Sequence, residues 1–190
     1  MFDVLSPVTT FRTILILLAA FLAVFWEAAF PGTSRWLKVQ VDLLPSLMVF
    51  ASLCTGLSAI ALLAVVGGLF FDALSANPLG VSILPLFAVG VALYWRRELV
   101  LRDQPYAQFM LGLGASAATP MLTVLLLLTA GQSPLLGWGS LWQWFVMSFG
   151  GAIATPIFFF FFGWCERAFG HRRVTETSFR PDREIRRGRS

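Results

Sequence analysis

The chain has 190 residues, 57% of them hydrophobic and 13% charged, with a formal net charge of +4 and a mean hydropathy of +0.77. Soluble domains carry about 25% charged residues, so this composition excludes an ordinary water-soluble globule and points to an integral membrane protein. Nor does the positive charge imply nucleic acid, because the surplus is concentrated after Cys165, where anionic lipid headgroups are partner enough for juxtamembrane arginines.

Six apolar runs predict an all-α bundle of about six transmembrane helices, over residues 14–30, 39–53, 57–71, 81–95, 109–130 and 141–164. A crossing needs roughly 20 residues, and the second and third runs are short for it. They read either as one interrupted hairpin with Thr55 and Gly56 at its tip, or as two spans extended by flanking residues such as Val39 and Val41.

Arginine placement tests the count, because positive charge accumulates on the cytoplasmic side of short loops. With both termini cytoplasmic, twelve arginines fall inside: Arg12, Arg96, Arg97, Arg102 and eight from Arg167 onward. Only Arg35 and Lys38 fall outside. Trp26, Trp36, Trp138, Trp142 and Trp144 then sit near the outer interface, with Trp95 and Trp164 near the inner one, as amphipathic rings prefer. Asp3 ahead of the first run, with no small-residue site after it, argues against a cleaved signal. Residues 1–166 form the membrane domain, and the basic stretch 167–190 is expected to be a disordered cytoplasmic tail, having too few apolar residues to offset ordering entropy. Cys54 and Cys165 map to cytoplasmic ends, so no disulfide is expected.

Prolines and small residues recur inside the runs. Ala118-Thr119-Pro120 and Ala154-Thr155-Pro156 share a core in which each proline removes a backbone donor and the threonine can bond a freed carbonyl. The pair reads as two kinks, or as an internal repeat lining a substrate site. Catalytic groups are scarce: the only histidine, His171, lies in the tail, and there is no phosphate-binding loop or metal-ligand pattern. The expectation is a non-enzyme without cofactor or metal. Asp42 and Asp72 both fall near the outer face, as a carboxylate pair for proton transfer or as helix caps that pair with Arg35 or Lys38.

The most informative stretch is Gly67 to Gly90, GGLFFDALSANPLGVSILPLFAVG, where a lone Asp72 lies between strongly apolar segments. A carboxylate at membrane depth costs on the order of 2.5–3.5 kcal/mol, so it faces protein, water or the interface. Gly67 and Gly68 permit close helix approach one turn earlier, and Asn77-Pro78 with Gly80 reads as a tight reversal. Together with Asp42 and Pro45 in DLLPSLMVF, this pattern, clearest over residues 42–101, resembles the MreD family of the bacterial rod-shape system. The resemblance implies a noncatalytic inner-membrane scaffold for lateral cell-wall elongation. It would bind an MreC-like single-span protein and work with RodA, a class B transpeptidase and MreB. It implies interaction roles for Asp42, Pro45, Gly67, Gly68, Asp72, Pro78 and Gly80. The nearly nonpolar fifth span, the Phe158 to Phe162 run and the long tail depart from the family pattern. An alternative, similar in size and layout, is a substrate-binding subunit of an energy-coupling-factor-type vitamin importer. That class needs an outward pocket, for which the sequence displays no convergent polar set.

Overall fold

A computed structural model describes residues 7–29, 42–75, 78–99, 104–131 and 137–169, and their regular structure is entirely helical. Six helices follow in order: α1 (Pro7–Ala29), α2 (Leu44–Cys54), α3 (Leu57–Leu74), α4 (Ile83–Arg96), α5 (Pro105–Thr129) and α6 (Trp138–Phe169), with a 3-10 turn, Arg97–Leu99, after α4. Three are long and apolar enough to cross a membrane: α3, α5 and, over Trp138–Cys165, α6. Helices α2 and α4 are apolar but shorter, at 11 and 14 residues. Arg35, Trp36, Lys38, Asn77 and the basic tail beyond Phe169 lie outside the described residues, while 167–169, expected to open the tail, are the last residues of α6.

The second and third apolar runs are two separate helices. Thr55 and Gly56 break them: the Thr55 and Gly56 backbones are extended, and the Thr55 hydroxyl and N–H both return to Ala51 O, closing α2. Pro45 occupies the first turn of α2, where a missing N–H costs nothing.

Helix α2 is the hub. Every residue from Leu44 to Leu53 is buried, and α2 touches all five other helices. Such packing is held together by close van der Waals contact and interhelical hydrogen bonds. Phe50 of α2 stacks on Phe162 at 4.3 Å between centroids and meets Phe159 edge-on at 5.0 Å. The Phe158 to Phe162 run is therefore divided: Phe162 is 1% exposed in the core, whereas Phe160, at 72%, faces outward.

Close approach of α5 and α6 comes from a reciprocal small-residue seam. A Cβ on Gly112 would overlap the Thr155 hydroxyl and lie 2.8 Å from Gly151 O, and a Cβ on Gly151 would lie 2.5 Å from Ser116 Cβ. Both sequences read Gly-x-x-x-small, Gly112 to Ser116 and Gly151 to Thr155, which lets antiparallel backbones nest. Ser46 of α2 joins the seam by donating to Gly151 O at 3.0 Å. The threonines of the two Ala-Thr-Pro cores donate to Ala115 O and Gly151 O, one residue before the carbonyls that the prolines release.

The helices alternate in direction. Arg12 of α1 donates to Cys54 O at the end of α2, while Glu27 near the end of α1 accepts from Leu43 N–H ahead of α2. Arg96, Arg97 and Arg167 belong to the Arg12 end, and the two carboxylates Asp42 and Asp72 to the other.

Candidate functional site

The carboxylate end is built from Asp72 outward. Asp72 is 1% exposed on the last turn of α3, and its two oxygens accept three hydrogen bonds. Oδ2 takes the Gly80 N–H at 2.8 Å and the Ser82 N–H at 3.1 Å, and Oδ1 takes the Ser82 hydroxyl at 2.5 Å. A buried carboxylate is tolerable when its lone pairs are filled in this way, and these bonds tie the end of α3 to the start of α4. Gly80 turns the chain with φ +93°, a region that residues with a Cβ rarely enter. Pro78 lies exposed at the tip.

Gly67 and Gly68 serve the same unit from inside. Added carbons there would lie 3.1 Å from Leu44 Cδ2 and 3.1 Å from the Ile83 backbone, respectively. Both glycines are thus used up in packing α3 on α2 and α4, so the close approach read from the sequence is within the chain.

Asp42 lies two residues ahead of α2, 6% exposed, and its Oδ1 accepts from Leu44 N–H at 2.9 Å. Asp72 lies within electrostatic reach of Asp42. Glu27 is also within electrostatic reach of Asp42. Three carboxyl groups therefore gather at this end of the bundle. Asp42 and Asp72, read from the sequence as a carboxylate pair or as helix caps, lie at the same end of the bundle, and each accepts from its own backbone donors.

Beside Asp42 lies a cavity of about 300 Å³. Its polar wall comprises Asp42, Ser75, Ser82, Thr119, Thr123 and Gln143, and its apolar wall is drawn from Phe71, Leu86, Val124, Leu127 and Met147. Five segments converge there, from the lead-in to α2 through to α6. Sequence reasoning missed Glu27, Ser82, Thr119, Thr123 and Gln143 as members of this end. The one local signal was the i, i+4, i+8 spacing of Thr119, Thr123 and Leu127, which puts them on one face of α5. Among the described residues no cluster of three or more His, Cys, Asp or Glu side chains could hold a metal ion. Cys54 and Cys165 are not joined by a disulfide.

No protein-family model, curated protein or solved structure matches this chain.

Proposed function

We propose that the chain is a noncatalytic scaffold subunit of the bacterial rod-shape machinery, similar to MreD, spanning the inner membrane six times with both ends in the cytoplasm. The observation that supports the reading best is that three of the residues carrying the resemblance, Gly68, Asp72 and Gly80, form one mechanical unit. Gly68 lets α4 start against α3, Asp72 gathers Gly80 and Ser82, and Gly80 supplies the left-handed turn. Such a clamp fixes a short loop at the membrane surface without presenting any reacting group.

In this reading the carboxylate end faces the periplasm and the Arg12 end the cytoplasm, in accord with the placement of positive charge. The partner is an MreC-like single-span protein, with RodA, a class B transpeptidase and MreB in the larger assembly, and the arginine-rich tail lies against anionic lipid. A second reading, a substrate-binding subunit of an energy-coupling-factor-type importer, is favoured by the cavity, whose polar lining answers the need for converging groups.

Purification of the tagged protein in mild detergent from its own cells, with mass spectrometry of proteins and small molecules, separates the two. Recovery of a single-span MreC-like protein with wall-synthesis enzymes supports the scaffold, whereas an ATPase module with a bound vitamin overturns it. Asp72→Asn keeps shape and membrane insertion but lowers recovery of the partner; unchanged recovery would remove any assembly role from Asp72.

A further inference from the structure

We propose that the cavity beside Asp42 is a binding site for a small organic ammonium with an apolar body. This inference rests on neither reading of function, since a scaffold and an importer subunit could each hold such a ligand.

The electrostatics select the sign of the ligand. Asp42 is a lining residue, and Asp72 and Glu27 each lie within electrostatic range of it. The oxygens of Asp72 are already engaged by Gly80 and Ser82, which leaves Asp42, with its single Leu44 N–H bond, as the carboxylate turned to the cavity. No lysine or arginine belongs to the described lining. A phosphate or carboxylate ligand would meet repulsion, whereas an ammonium forms a charge-assisted hydrogen bond and relieves the cost of a buried anion.

Shape and polarity select the rest. Thr123 and Gln143 offer hydrogen bonds along one wall, and Val124, Leu127 and Met147 face an apolar portion of the ligand. A volume of about 300 Å³ admits a molecule of some ten heavy atoms, at the small end of ligand pockets.

The test uses the full chain purified in detergent, with 2-phenylethylamine as probe and 2-phenylethanol as its neutral counterpart of the same size. Thermal unfolding is followed by intrinsic tryptophan fluorescence. The amine is expected to raise the midpoint saturably and the alcohol not to, so that partition into detergent is excluded as the cause. Asp42→Asn should weaken half-saturation at least tenfold. Because Asp42 also helps to start α2, Thr123→Phe provides a second variant that fills the cavity and keeps the carboxylate; it should abolish the saturable shift. Equal shifts with both compounds, no shift in the wild type, or an undiminished shift in Thr123→Phe would overturn the site. Partner recovery from cells is a separate measurement, so failure of the ligand and failure of the scaffold reading are distinguishable.

Discussion

The α3–α4 hairpin and the α5–α6 pair both bring helices together over glycine, yet they are held by different physics. At the hairpin, Gly68 meets the Ile83 backbone and a buried carboxylate then locks the turn through three hydrogen bonds. Along α5–α6, Gly112 and Gly151 interlock with Thr155 and Ser116, and the threonine hydroxyls turn back to their own helices. The first contact is directional and local; the second depends on fit along most of two long helices. In a bilayer the two are complementary, because polar bonds fix where a loop sits while small residues fix how near two cylinders lie.

The sharpest way to break the comparison is Gly151→Leu. Its side chain would drive into Ser116 and toward Ser46, and the cost of such overpacking is about 3 kcal/mol or more. Helix content by circular dichroism should survive while α5 and α6 separate, as read by loss of a monodisperse peak on size exclusion. Next comes Asp72→Ala, which strands the Gly80 and Ser82 donors. Buried donors left without acceptors cost about 1–3 kcal/mol each, and partial hydration of the loop should hold the total near 3 kcal/mol in a denaturing-detergent titration. A smaller loss than that of Gly151→Leu is the expected order; the reverse would mean that the clamp, not the seam, dominates stability. Gly80→Ala forces a Cβ into φ +93°, at a cost of roughly 1–2 kcal/mol, and should accelerate protease cleavage near Pro78 with little effect on the α5–α6 pair. The smallest effect belongs to Thr155→Val. It keeps the shape that Gly112 requires and loses one hydrogen bond to a carbonyl that Ser46 still serves, so the midpoint should fall by less than about 1 kcal/mol equivalent.

The clamp was legible because its parts lie within sixteen residues and each has a local signature: paired glycines, a lone carboxylate in an apolar run, and a Pro-x-Gly reversal. All-helical architecture followed from the apolar runs for the same reason. The seam was only half legible. Gly112, Ser116, Gly151 and the Ala-Thr-Pro cores stand out along the chain, but nothing local tells which small residue meets which, or that the threonines pass over the freed carbonyls. The cavity was not legible at all. Asp42, Ser82, Thr123 and Gln143 are separated by up to about a hundred positions, and a side chain that faces a void has the same local pattern as one that faces lipid. The division of the Phe158 to Phe162 run was hidden for a related reason: composition alone gives five equivalent rings, and the position of Phe50 is what distinguishes Phe162 from Phe160.

The buried hub α2 constrains how the protein can be made. Under the proposed membrane topology, an eleven-residue apolar segment is about half the length of a full crossing. Its neighbours α5 and α6 come later in the chain, beginning only at Pro105 and Trp138. Helices α1, α3 and α4 are the neighbours nearest α2 in sequence, and the Glu27–Leu43 and Arg12–Cys54 hydrogen bonds hold α1 to both ends of α2 without α5 or α6. Mutations that weaken them should lower yield in the membrane more than they lower the stability of whatever protein is recovered.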